Sequence, residues 1–356
     1  MEDLVMQLNQ LYKDYKYSYP SERSRINKSR FNALEFEELD DEMLVKVLAT
    51  SICGSDRDIY DWAASKHGLP LPVIMGHEFF GEVIELGSRV TGFAKGDRIS
   101  SDSHLPCGEC YLCRTGKPHL CMKRGILGHQ KDGCFAEYIA LPAAAAVKMA
   151  PDTDPKLGAL MEPMGVVYHA ASVTPLSGKS VLVMGVGALG YMMIDAAKML
   201  GASRVIACST SDEKLKKVLA ENADFGINSR TEDVALKVKE YTNGIGADVV
   251  FEMSGIVSLY NLAIDACAYQ GTIVCVGVPS EDVVIPDYFD RVMKKEIVIK
   301  ASFGRLMFET WELMADLLDS KKLDPARYVG GCYALEDYEK GIEASRGCIG
   351  RIILIP

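Results

Sequence analysis

At 356 residues the chain is longer than one ordinary domain, so two domains are expected. Hydrophobic residues make up 48% and charged residues 25%, the balance of a globular protein with a sizeable core. A formal net charge of −10 argues against a nucleic-acid partner, which calls for a basic face, and against attraction to an anionic membrane surface.

The chain opens on MEDLVMQLNQLYKDYKYSYP. No basic stretch is followed by an apolar one, so this is not a signal peptide, and it is too acidic for a transit peptide. Leu4, Val5, Leu8 and Leu11 fall at helical spacing and predict a short amphipathic helix, packed on the surface or in an oligomer. No apolar run reaches the roughly 18 residues of a membrane span. There are 11 cysteines and no secretion signal, so reduced thiols and a cytoplasmic location are expected.

Residues 1–165 carry short strand-like runs broken by Gly, Pro and Asp turns, as in GSRVTGFAKGDRIS, which predicts a largely β domain. From 166 to 302 the pattern changes. The apolar runs SVLVMG, RVIAC, DVVFE, TIVCVG and EIVIK alternate with helical stretches, which predicts a doubly wound parallel sheet covered on both faces, an α/β fold. Residues 303–356 do not continue that alternation. They are expected to rejoin the first domain and close on the strand GRIILIP.

Three motifs carry chemistry. Cys107, Cys110 and Cys113 follow one another at C-x-x-C spacing, with Cys121 soon after, in a lobe of about residues 104–122. Four thiolates close a tetrahedral zinc site and leave no position for substrate, so this site is structural. His104 and His119 are expected on the lobe surface rather than as ligands. Next comes Gly185-Val186-Gly187-Ala188-Leu189-Gly190. It follows the strand SVLVM and opens a helix, the context a dinucleotide fingerprint requires. Gly185 allows the tight turn, Gly187 lets the pyrophosphate approach the backbone, and Gly190 lets helix and strand pack closely. Ala188 and Leu189 begin the helix whose free N–H groups face the phosphates. Val276 and Val278, after the run TIVC, are expected on the same cofactor side. The third constellation is dispersed: Cys53 in CGSD, His77-Glu78 in GHE, and Glu162 in MEPMG. A catalytic zinc takes about three protein ligands and keeps one open position, and Cys, His and Glu make a suitable set.

The ordered series ICGSD, GHEFFGEVIELG, GDRI, the four-cysteine lobe, DGCFAEYIALP, EPMGVVYHA and GVGALG resembles the zinc-containing medium-chain dehydrogenase/reductase family over roughly residues 30–356. FEMSG and FGRLMFETW look like its threonine dehydrogenase branch, related to the polyol dehydrogenases. The resemblance implies a GroES-like catalytic domain beside a Rossmann-type domain, two zinc ions per chain, and hydride transfer between a secondary alcohol and NAD(P) in a cleft between the domains. It implies a homodimer or homotetramer. Cys53, His77 and Glu162 match the catalytic zinc ligands. Glu78 matches a carboxylate that exchanges with water or ligand on the metal, Asp56 an acid that orients His77, and Ser55 the hydroxyl that takes the substrate proton. Arg351 matches a basic residue near the cofactor pyrophosphate.

Some positions depart from the family pattern. Asp58 stands where many members end the proton relay on histidine. It is either a relay member or a solvated turn residue. His129 stands at an apolar pocket position and is either a substrate contact or an ordinary surface or core histidine. The acid that usually ends the second cofactor-domain strand is replaced by Ser209, followed by Thr210, Ser211 and Lys214. That run resembles the NADP-dependent cinnamyl alcohol dehydrogenases and favours NADP over NAD. Asp212 and Glu213 remain able to swing toward the ribose and restore NAD. Two further functional classes stay open at this point. One is a zinc-free quinone or enoyl reductase of the same superfamily, which would lack the Cys53/His77/Glu162 set. The other is a non-catalytic cofactor-binding protein, which would not reduce a cofactor in the presence of alcohol.

Overall fold

The computed structural model describes residues 40–61, 73–320 and 322–356. The amphipathic helix expected around Leu4–Leu11 lies outside them. Among the described residues no helix is long and apolar enough to cross a membrane. The chain divides into two compact units, one running up to Glu162 and resuming at Pro325–Pro356, the other spanning Pro163–Asp324. The return crossing, expected after 302, therefore falls later. Helix Glu309–Asp319 buries Trp311 and Met314 and belongs to the second unit.

The first unit is mostly β. Its strands are β1 (Glu42–Ser51), β2 (Glu78–Leu86), β3 (Arg98–Ser101), β4 (His104–Leu105), β5 (Gly125–Ile126), β6 (Tyr138–Pro142) and β7 (Ala146–Lys148). The second unit holds β8 (Ser180–Met184), β9 (Arg204–Ser209), β10 (Phe225–Asn228), β11 (Ala247–Glu252), β12 (Cys267–Cys275) and β13 (Val298–Ala301). The chain then returns with β14 (Val329–Ala334) and β15 (Arg351–Ile355).

In the first unit a sheet runs β14-β15-β1-β2-β3-β7, with β6 also paired to β1. All its pairs are antiparallel except β14–β15. Met43, Val45 and Val47 alternate along β1 and meet Phe79, Val83, Ile99 and Leu354 in one core, the period-2 pattern of a half-buried strand. The register places the end of β1 beside the start of β2: Ser51 lies opposite Glu78, and also opposite Ile353 of β15. Cys53, His77, Glu78 and Arg351 are thereby gathered at one end of the neighbouring strands β15, β1 and β2.

The second unit is a six-stranded parallel sheet in the order β10-β9-β8-β11-β12-β13. Every residue of β8 is buried, as a continuous apolar run in a covered sheet requires. Five strands follow the apolar runs read from the sequence. The sixth, β10, was not anticipated: FGIN is short and interrupted by Gly226.

Candidate active site

The four-cysteine lobe forms as expected. The sulfurs of Cys107, Cys110, Cys113 and Cys121 all lie within 4.8 Å of one another. Sγ–Sγ separations are 3.5 Å for Cys110–Cys113, 3.8 Å for Cys110–Cys121 and 3.4 Å for Cys121–Cys107. A tetrahedron with Zn–S bonds near 2.3 Å has edges of about 3.8 Å, so the set fits a zinc ion, whereas a disulfide needs about 2 Å. Backbone N–H groups of Cys107 and Lys123 each point at the Cys121 sulfur at 3.3 Å. Backbone N–H groups of Cys113 and Met122 bring the Cys110 thiol down to about 6, and those of Glu109 and Cys110 lower Cys107. Burial, and then the neighbouring Cys110 and Cys121, push Cys113 up to about 12, because four thiols at this spacing cannot all ionise without a cation. His104 and His119 are not on the lobe surface as expected. Both are buried, His104 in β4 and His119 in the 3-10 turn Pro118–Leu120.

The dispersed constellation converges in part. Ligand atoms of Cys53, His77 and Glu78 lie within 4.8 Å of one another. Cys53 caps helix α1 (Gly54–Tyr60), and its N–H donates to Asp56 Oδ2 at 2.8 Å. The other Asp56 oxygen accepts from Gly76 N–H at 3.3 Å and lies 3.5 Å from His77 Nδ1. Asp56 therefore lies beside the His77 ring, with its carboxylate held by the Cys53 and Gly76 N–H groups. Burial would push Cys53 up, but the Arg351 and His77 charges outweigh it and bring the thiol down to about 6. His77 moves the other way: burial disfavours its cation, yet Asp56 and Cys53 hold it well above the ordinary histidine range. Burial raises the Glu78 carboxyl, and Cys53 and Glu162 raise it further against the pull of Arg351 and His77. Glu162 is buried at the start of helix Met161–Ser172. It lies outside the compact set, close enough that its charge bears on Glu78 and Arg351.

Arg351 has a partner the sequence could not reveal. Its Nη2 donates to Glu78 Oε1 at 2.7 Å and lies 3.8 Å from the Cys53 sulfur. The second Glu78 oxygen accepts from the Ser51 hydroxyl. Among the described residues the buried Arg351 Nε has no hydrogen-bond partner. Ser55 is half-buried in the first turn of α1, and Asp58, one turn on, is exposed. The His129 ring meets the His77 ring edge-on, with centroids 5.8 Å apart. That places His129 beside the metal set instead of on a remote surface.

In the second unit the fingerprint turn has the geometry its glycines imply. Gly185 has φ +98°, which favours glycine. A Cβ on Gly190 would lie 1.8 Å from the Gly185 carbonyl oxygen. A Cβ on Gly187 would meet nothing within 4 Å, so that face of the turn is open. Ala188 and Leu189 start helix α5 (Ala188–Met199), the helices between α1 and α5 being α2 (Tyr111–Arg114), α3 (Pro155–Gly158) and α4 (Met161–Ser172). Ser209 ends β9, and its hydroxyl accepts Ser211 N–H at 3.2 Å. Ser211 caps helix α6 (Asp212–Leu219), accepting Lys214 N–H at 3.4 Å. Thr210 is exposed and Lys214 half-buried. Asp212 accepts Asn228 Nδ2 at 2.6 Å. Val276 is half-buried and Val278 is 76% exposed, just past the end of β12.

Two family models match: the alcohol dehydrogenase GroES-like domain over residues 39–152 and the zinc-binding dehydrogenase model over residues 188–320. An L-threonine 3-dehydrogenase of Shewanella frigidimarina is 36% identical over 315 residues, 88% of this chain and 92% of that protein. The chain belongs to the zinc-containing medium-chain dehydrogenase family, in its threonine and polyol dehydrogenase branch. A zinc-binding dehydrogenase from Sinorhizobium meliloti 1021 bound to NADP superposes with a TM-score of 0.82 at 28% identity, over 89% of this chain and 92% of that one. Galactitol-1-phosphate dehydrogenase from Escherichia coli gives 0.80 at 27% identity, over 89% and 93%. Membership makes this chain an alcohol-acting oxidoreductase that uses zinc and NAD(P).

Proposed function

We propose that the chain oxidises a secondary alcohol carrying a further polar group, such as an amino alcohol or polyol, to a ketone, or runs the reverse reduction. The observation that carries this reading is the convergence of Cys53, His77 and Glu78 in one compact donor set on α1 and the start of β2. It is supported by the names of the relatives, one acting on threonine and one on galactitol 1-phosphate. A zinc-free reductase would have no use for such a set.

When bound, zinc supplies a Lewis acid that acidifies the alcohol and the nicotinamide supplies the hydride acceptor. The chain's own residues do the rest. Cys53, His77 and a carboxylate from Glu162 or Glu78 hold the catalytic metal, and Asp56 holds the His77 ring in orientation. Arg351 and Ser51 restrain Glu78 at the rim of that set. Ser55 takes the substrate's hydroxyl proton. Asp58, exposed one turn further along α1, or solvent, carries it away. Cys107, Cys110, Cys113 and Cys121 hold a second, structural zinc, giving two per chain.

Gly185, Gly187, Ala188, Leu189 and Gly190 cradle the pyrophosphate, with Val276 and Val278 on the nicotinamide side. Arg351 is assigned to an anionic group of the cofactor, as the family resemblance implies. The run Ser209, Thr210, Ser211 and Lys214 favours NADP. Ser209 and Ser211 each accept one backbone N–H and keep a hydroxyl proton to donate to a phosphate. A homodimer or homotetramer is supported by β13, an edge strand that leaves Val298 46% and Ile299 43% exposed. All 11 cysteines are unbridged, which suits a cytoplasmic location. A spectrophotometric screen of secondary alcohols, amino alcohols and polyols with both cofactors tests the reading. Cofactor reduction with at least one bifunctional secondary alcohol is expected, and its absence across the set would remove the proposal.

A further inference from the structure

Glu252 is a fully buried carboxylate that the chemistry above does not use. It ends β11 directly after the buried apolar run Val249–Phe251, in the middle of the parallel sheet. Burying a carboxylate is costly unless donors surround it, and here they do. Its Oε1 accepts Ser254 N–H at 2.9 Å, the Ser254 hydroxyl, and Gly255 N–H at 3.2 Å; its Oε2 accepts Gly255 N–H at 3.0 Å. Its backbone carbonyl accepts Val276 N–H at 2.9 Å and Gly277 N–H at 3.0 Å. One residue therefore ties down both the turn after β11 and the turn after β12.

The two turns are in contact. A Cβ on Gly277 would lie 2.0 Å from Gly255 N and 2.8 Å from Glu252 Oε2. A Cβ on Gly255, which has φ +75°, would lie 2.2 Å from the Val278 carbonyl oxygen. Tyr260 completes the arrangement by donating its hydroxyl to the Gly277 carbonyl at 2.6 Å. The clamp also reaches the fingerprint: a Cβ on Gly185 would come within 3.0 Å of Ser254 Cβ.

Strand order gives the clamp its place. The phosphate turn follows β8, and the ribose-side serine ends β9 on one side of it. In a doubly wound sheet the dinucleotide lies across the carboxyl ends of the strands, outside the point where strand order reverses. The other half of the dinucleotide then falls over the carboxyl ends of β11 and β12, on the turns that Glu252 holds.

We propose that Glu252 is a positioning residue for the nicotinamide half of the cofactor, fixing the Ser254–Gly255 and Val276–Val278 backbone against which that half is laid. This rests on the dinucleotide-binding reading above. It separates Glu252 from residues that serve the adenosine half, and from residues that merely stabilise the fold.

The test compares each dinucleotide with its truncated form, which lacks the nicotinamide: NADH against ADP-ribose, and NADPH against 2′-phospho-ADP-ribose. Kd values are measured by fluorescence titration and calorimetry on the full chain. Glu252→Gln keeps the side chain's shape but turns an amide N–H toward N–H donors. It should weaken the preferred dinucleotide about tenfold or more, the scale of a buried hydrogen bond left unmade, while the truncated form stays within about twofold. Ser254→Ala removes one donor and keeps the carboxylate. It should move the same ratio in the same direction by about threefold, and it decides the matter if Glu252→Gln does not fold. If dinucleotide and truncated form weaken together, or if neither changes while only thermal stability falls, Glu252 is a structural residue and the proposal is overturned. If the wild type binds neither dinucleotide, the functional reading fails first and the proposal falls with it.

Discussion

Gly187 and Gly190 stand three residues apart in one turn, yet the structure assigns them opposite sensitivities. A Cβ on Gly190 would sit 1.8 Å from the Gly185 carbonyl oxygen, so the start of α5 must move away from β8 by more than an ångström. Overpacking on that scale costs about 3 kcal/mol, well above the up to about 1 kcal/mol that alanine gains over glycine in a helix. At about 2–4 °C per kcal/mol for a unit of this size, Gly190→Ala should lower Tm by about 6–12 °C. Gly187 has extended backbone (φ −93°, ψ −166°), which alanine adopts readily, and open space around its added methyl. Gly187→Ala loses only a modest N-cap preference, about 0.5–1 kcal/mol, so Tm should fall by no more than about 4 °C. Its methyl projects where a pyrophosphate would approach, so dinucleotide affinity should fall about tenfold or more. Differential scanning calorimetry and cofactor titration on both variants make the comparison. A Gly190→Ala protein with wild-type Tm, or a Gly187→Ala protein with wild-type dinucleotide affinity, would refute the reasoning.

Elemental analysis should give two zinc per chain. Cys110→Ser should leave one and lower Tm sharply, because a structural site contributes folding free energy outright. Cofactor choice is expected to favour NADP in kcat/KM, and Ser209→Asp should shift the ratio toward NAD by about tenfold or more by placing a carboxylate against the 2′-phosphate. A wild-type preference for NAD would sink that assignment. Asp58→Ala should keep kcat within about threefold, since Asp58 is exposed and a carboxylate is poorly matched to proton shuttling near neutrality. A loss near a hundredfold would make it a relay member.

Much of the fold was legible because its signals are local. The apolar runs that became β8, β9, β11, β12 and β13 need no long-range information, and the C-x-x-C spacing of the lobe is itself the site. β10 escaped because FGIN is held by pairing with β9, from Phe225 opposite Ile206 to Asn228 opposite Ser209, with little propensity of its own. The boundary at 324 escaped because the helix Glu309–Asp319 follows a loop that breaks the strand–helix alternation. In the metal set, Cys53, His77 and Glu78 were named from short motifs. The Glu78–Arg351 pair joins residues far apart in the chain and follows only from the pairing of β1 with both β2 and β15. Glu252 was visible within FEMSG but not singled out. Its signal was an acid closing the apolar run VVF, and a buried polar residue is the informative exception at the end of such a run.

The central claim is that alcohol chemistry resides in the Cys53 donor set and dinucleotide binding in the fingerprint turn, on separate compact units. Cys53→Ala tests it most directly, with alcohol oxidation and reduced-cofactor titration measured on the same preparation. Turnover should be abolished while cofactor binding still saturates with near wild-type affinity. A Cys53→Ala protein that keeps most of the wild-type rate would contradict it.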